Sequence, residues 1–147
     1  MSTTQPIRSK QLLHDFKEYY LTKQSNSRNY TLILIGLNTA LRINDILHLT
    51  WGDVYCTEHS RFYTHLLITE KKTEKETRIL INRELQETLL SYRKTQPSIA
   101  DTDYLFPSPR KTSSPLSRYQ AYRIVRKAAE AVGIEDVIRC HSLRKTF

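Results

Sequence analysis

The chain reads as an α+β domain, mainly α-helical, with a small three-stranded antiparallel sheet set between helices. Three observations lead there. Apolar residues recur at helical spacing near both ends of the chain, and the dense apolar run Leu32–Leu37 marks a buried central helix. Between Val54 and Asn82 the composition turns instead to β-branched and aromatic residues. A length of 147 residues with 39% hydrophobic content suits a single domain, residues 1–147, built on one core.

In chain order, Met1–Arg8 is polar and Thr-rich and is expected to fray. Ser9 suits the cap of a helix in which Leu12, Leu13, Phe16 and Tyr20 share a face. Ser25-Asn26-Ser27 breaks that pattern, and the central helix begins near Arg28. Tyr19, Tyr20 and Tyr30 fall at packing positions, and Gly36 within the apolar run suggests a close approach. After Arg42, the pair Asn44-Asp45 can cap a second helix whose apolar set is Ile43, Ile46, Leu47, Leu49 and Trp51. Val54–Cys56, Arg61–Thr69 and Thr77–Asn82 read as three strands, and the charged turn Glu70–Glu76 carries Lys71, Lys72 and Lys75 at the tip of the last hairpin. Asn82 caps a helix bearing Leu85, Leu89 and Tyr92. Gln96–Leu116, with Pro97, Pro107, Pro109 and Pro115, is a loop pinned to the core by Tyr104-Leu105-Phe106. Ser117 caps a helix with Tyr122, Val125, Ala129 and Val132 inside, and Gly133 stops it.

A formal net charge of +8 points to a polyanionic partner, most simply nucleic acid. The charge is uneven: Ser91–Phe147 holds 11 Lys and Arg against 5 Asp and Glu, whereas Met1–Leu90 holds 12 against 10. Cys56 and Cys140 are too few for a disulfide framework or a zinc site and are expected as free thiols. No apolar run approaches the ~20 residues of a membrane span, so no membrane role is expected.

The candidate functional residues are cationic. Arg42 sits between two apolar sets, where a desolvated guanidinium needs either an internal carboxylate, Asp45 or Asp53, or an external anion such as a phosphate. Lys71, Lys72 and Lys75 form a solvated turn or a set of anion contacts. Arg123, Arg126 and Lys127 on the outer face of the last helix are a DNA-backbone stripe or a wet surface. His141 and Arg144, three apart, share one face if Ile138–Phe147 is helical. There is no glycine-rich phosphate loop and no cluster of carboxylates for a metal.

Taken together, these residues resemble the catalytic domain of the tyrosine recombinase (phage integrase) family, from Gln11 to the last residue. Thr39–Leu49, TALRINDILHL, is similar to the family's first box, in which Gly-Leu-Arg-x-x-Glu precedes spaced leucines. Lys72-Thr73-Glu74-Lys75 matches the hairpin whose first lysine is catalytic, and His141-Ser142-Leu143-Arg144 matches the His-x-Leu-Arg of the second box. The resemblance implies that Arg42 and Arg144 hold the non-bridging oxygens of a scissile phosphate. Lys72 would then protonate the departing 5′ oxygen, and His141 would hydrogen-bond the phosphate and assist proton transfer. Two fixed guanidiniums can stabilise the transition-state charge, so neither metal nor cofactor is implied. Lysine suits the acid role because neighbouring cations and burial lower its pKa.

Asp45 stands where the family usually carries a glutamate, which bears on how Arg42 is braced, and Lys145 replaces a frequent histidine. The family's nucleophilic tyrosine lies farther along than the position of Arg144, and none of the nine tyrosines here matches it. The expectation is therefore a catalytic domain truncated before its nucleophile, inactive alone and monomeric, binding double-stranded DNA and assembling on it only as a full-length protein. It would reside with the nucleoid in a bacterial or phage-type cytoplasm. The alternative is a non-catalytic DNA-binding or regulatory helical module, which explains the charge but not the joint presence of Arg42, Lys72, His141 and Arg144.

Overall fold

The central helix expected from the apolar run is α2, Ser27–Thr39, in a computed structural model that describes residues 6–7, 9–39, 41–69, 73–96 and 98–134. Thr31 to Gly36 are buried without interruption, as a helix enclosed on all sides requires. Its first turn is capped by Asn26, whose side-chain oxygen accepts from the Asn29 amide at 3.0 Å. Ahead of it, α1 (Lys10–Glu18) starts at Ser9, whose hydroxyl accepts from the Leu12 amide. It runs directly into a π-helical turn, Tyr19–Lys23. Two successive residues of this turn, Tyr19 and Tyr20, are buried. Ile7, within the stretch expected to fray, is buried in the core.

The second apolar set forms two short helices, α3 (Ile43–Leu47) and α4 (Trp51–Val54). The expected Asn44-Asp45 cap is displaced: the N-cap is Arg42, whose carbonyl accepts from the amides of Asp45 and Ile46. Starting at Ile43 sets Ile43, Ile46 and Leu47 toward the core and leaves Asp45 in the first turn, where its charge favours the helix dipole. α4 is held by Asp53, whose carboxylate accepts from the Thr50 amide at 2.8 Å and from its hydroxyl at 3.1 Å.

Four strands follow: β1 (Tyr55–Cys56), β2 (Arg61–Phe62), β3 (His65–Thr69) and β4 (Glu76–Leu80). The expected single three-stranded sheet is two antiparallel ladders, β1 with β2 and β3 with β4. The middle strand, expected over Arg61–Thr69, breaks at Tyr63–Thr64 as it changes partner. The Tyr63 amide still bonds the Val54 carbonyl on one side, and the Thr64 carbonyl accepts from Ile81 on the other. Leu66, Ile68 and Ile79 turn toward the core, and Leu67 and Leu80 stand on the outer face.

α5 (Arg83–Lys94) packs on α2 through Leu85 and Leu89 and is capped by Asn82 as expected. The following loop is stitched to the segment joining α3 to α4. Trp51, Gly52 and Leu105 amides bond the carbonyls of Asp103, Asp101 and Leu49. Gly52 is needed there, since a Cβ would lie 3.0 Å from the Asp101 carbonyl oxygen. Leu105 and Phe106 are fully buried, and the Tyr92 hydroxyl donates to the Leu105 carbonyl. α6 (Arg118–Ala131) begins with the Ser117–Gln120 capping box and ends at Gly133, which takes the left-handed φ of 84°. The Tyr20 hydroxyl donates to the Ile124 carbonyl at 2.7 Å, joining the π-turn to α6.

Candidate functional site

Arg42 stands at the break between α2 and α3. Its backbone is extended, φ −70° and ψ 148°, so successive side chains point to opposite sides. Leu41 is buried and Ile43 packs against the core, and Arg42 between them is exposed. The expectation of a desolvated guanidinium is thereby corrected. So is the internal ion pair: Asp53 is engaged by Thr50, and among the described residues Arg42 has no salt bridge and no side-chain hydrogen bond. The last residues of α2 ahead of it are tied by hydrogen bonds. Thr39 donates its hydroxyl to the Ile35 carbonyl, and Asn38 donates to that of Leu34 and accepts from Asn82 at 2.8 Å.

The hairpin is the second cationic segment. Its last ladder pair is Thr69 with Glu76, and the described residues between them are Thr73, Glu74 and Lys75. Lys75 is exposed there, and its amide donates to the Thr73 hydroxyl. Glu74 takes a positive φ of 54°, which tightens the turn. Lys71 and Lys72 lie outside the described residues, as do His141, Arg144 and Cys140. Of the four residues given catalytic roles by resemblance, the geometry of Arg42 alone is described.

The third segment is the outer face of α6. Arg123, Arg126 and Lys127 are exposed along it and line a groove of about 690 Å³. Arg126 is held in place: Nε donates to Glu130 and another guanidinium nitrogen to the Tyr122 hydroxyl, each at 2.6 Å. Those hydrogen bonds, Glu130 first, raise its already high pKa further. The Arg123 guanidinium lies 6.0 Å from the ring centroid of Tyr119, which is 67% exposed. Arg28, from the start of α2, lines the same groove, its Nε donating to Asn29. Sequence reasoning missed Arg28, because only the packing of the π-turn on α6 brings it there. Four cations thus face one carboxylate, Glu130, already bonded to Arg126.

Among the described residues no group of three or more His, Cys, Asp or Glu could hold a metal ion, and no helix is long and apolar enough to cross a membrane.

This fold is that of the tyrosine-recombinase catalytic domain. The XerA recombinase superposes with a TM-score of 0.76 at 23% identity, over 99% of this chain and 50% of that one. Lambda integrase (residues 75–356), crystallised bound to DNA, gives 0.69 at 17% identity, over 99% and 50%. The model of the phage integrase family matches residues 5–147, and the chain belongs to that family. It is 45% identical to the probable integrase/recombinase YoeC of Bacillus subtilis (strain 168), over all of this chain and 74% of that protein. The chain therefore spans about three-quarters of YoeC and half of either crystallised recombinase.

Proposed function

We propose that these residues form the phosphate-activating part of a site-specific recombinase that cuts and rejoins duplex DNA through a 3′-phosphotyrosyl intermediate. The observation that carries this reading is Arg42: a guanidinium without a side-chain partner among the described residues, displayed from between buried residues in a chain of the phage integrase family. Arg42 and Arg144 would grip the two non-bridging oxygens. As a tyrosine oxygen forms its bond to phosphorus, the bond to the 5′ oxygen breaks, and Lys72 gives that oxygen its proton. His141 hydrogen-bonds the phosphate and assists proton transfer. Rejoining runs the same step backward with the 5′ hydroxyl of another strand. Negative charge spreads over the equatorial oxygens, so positioned cations lower the barrier directly.

Lys71 and Lys75 on the hairpin, with Arg123, Arg126 and Lys127 on α6, would contact the duplex backbone, and Arg28 joins them. The protein would act with the nucleoid, as a monomer until it assembles on DNA. The basic groove favours a second reading, a DNA-binding module without catalysis, because it stands apart from Arg42.

Two measurements decide. Duplex affinity of the 147 residues should fall linearly on a log–log scale with salt, roughly 0.9 counterions per phosphate contact, and no covalent adduct should form on nicked duplex. Salt-independent affinity would sink both readings. In a protein carrying these residues together with the family's tyrosine, Arg42→Ala should slow strand cleavage roughly 10²- to 10³-fold and leave duplex affinity nearly intact. Unchanged cleavage would leave only the binding module.

A further inference from the structure

We infer that Asn38 and Asn82 are positioning residues: their side-chain hydrogen bond sets the β3–β4 hairpin against the turn that carries Arg42. The inference rests on the recombinase reading for the task it gives that alignment, though the alignment itself can be measured without it.

The geometry is specific. Asn82 Nδ2 donates to Asn38 Oδ1 at 2.8 Å across 44 residues of sequence. Neither amide can turn over without losing a bond. Asn38 Nδ2 is committed to the Leu34 carbonyl at 2.9 Å, and Asn82 Oδ1 to the Leu85 amide at 2.9 Å. Asn38 lies in the last turn of α2, just ahead of Arg42, and Asn82 follows β4 after the fully buried Ile81. Among the described residues this is the one side-chain hydrogen bond from α2 to an element distant in sequence.

A helix cap alone needs only the Asn82 oxygen. Its amide nitrogen, turned back to α2, calls for a second reason. The hairpin base is also tied by the Tyr63 amide to the Val54 carbonyl and by the Gln86 side chain to the Ile81 carbonyl, but neither bond reaches α2, and the apolar contacts of Leu66, Ile79 and Ile81 are non-directional and tolerate small rotations. β4 extends at about 3.3 Å per residue, so Lys75 stands roughly 20 Å from Asn82, and a tilt of about 10° there sweeps it about 3 Å. Misplacement by about 1 Å can cost an active site 10²-fold. A saturated pair of amides fixes direction as apolar packing cannot.

The test places spin labels at Asn44→Cys on α3 and Lys75→Cys on the hairpin, with Cys56→Ser and Cys140→Ser. The distance distribution is then recorded in the parent and in two variants. Asn38→Ala removes the acceptor but keeps Asn82 as cap. Asn82→Ser keeps a capping oxygen but removes the donor. The parent should give one narrow distance, and Asn38→Ala and Asn82→Ser should lose that peak while still unfolding cooperatively on heating. The inference is overturned by a broad parent distribution or by a narrow unshifted peak in Asn38→Ala and Asn82→Ser. Failure of the recombinase reading would show elsewhere, as cleavage indifferent to Arg42→Ala.

Discussion

Arg42 is tied into the fold through its backbone, and its guanidinium stands in solvent. Its planar donor fork is open to meet a phosphate. A structural arginine would show the opposite, a buried head matched by a carboxylate. The distinction is measurable. Arg42→Ala should leave the unfolding free energy from urea titration within about 0.5 kcal/mol of the parent, since among the described residues no side-chain hydrogen bond or ion pair is lost. A loss of several kcal/mol would mean that the side chain is a brace and would remove the main support for its catalytic role. The clue to its exposure is present in the sequence, in the alternation Leu41-Arg42-Ile43, which is the signature of an extended residue between two buried ones. It is masked by the helical periodicity on either side, which invites a reading of the whole stretch as buried helix.

The helices announce their ends through local chemistry. Ser9, Asn82 and Ser117 each accept from an amide one turn on, and Gly133 takes a left-handed φ. Caps are readable because the interaction spans three or four residues and needs a particular side chain. At Ser117 the box is reciprocal, with Gln120 Oε1 accepting from both the Ser117 amide and its hydroxyl. Ser117→Ala should therefore cost about 1 kcal/mol, seen as a lower urea midpoint with an unchanged slope. A neutral result would mean that α6 is held by the burial of Ala121, Val125 and Ala128 alone. Other features depend on partners far along the chain and left no local mark. The π-turn buries Tyr19 and Tyr20 and is bonded by Tyr20 to α6, and the strand breaks at Tyr63–Thr64 because neighbouring residues pair with different strands. The basic groove likewise needs Arg28 and α6 to meet, which no window of sequence contains.

At the scale of the molecule, two tyrosine hydroxyls join parts that apolar packing alone would leave free to slide. Tyr20 bonds the π-turn to α6, and Tyr92 bonds α5 to the loop that precedes α6. Burial pushes both phenols up to about 12, with Tyr19 adding to the shift at Tyr20 and Arg28 opposing it at both. Each folded pKa is raised above the unfolded value near 10. Their contribution to stability is thus complete below pH 10 and is lost as pH climbs through about 12, because the unfolded chain releases protons that the folded one retains. Urea midpoints should fall between pH 10 and 12, with tyrosinate absorbance from these two rings appearing together with unfolding. The double variant Tyr20→Phe and Tyr92→Phe separates them from other alkaline titrations. It should start less stable, since the buried Leu105 carbonyl loses its tyrosine donor, an effect of about 1–3 kcal/mol. Its decline above pH 10 should be shallower than the parent's. Parallel declines in parent and variant would mean that both hydroxyls ionise without consequence, and that the joints between α6 and the rest of the domain rest on packing alone.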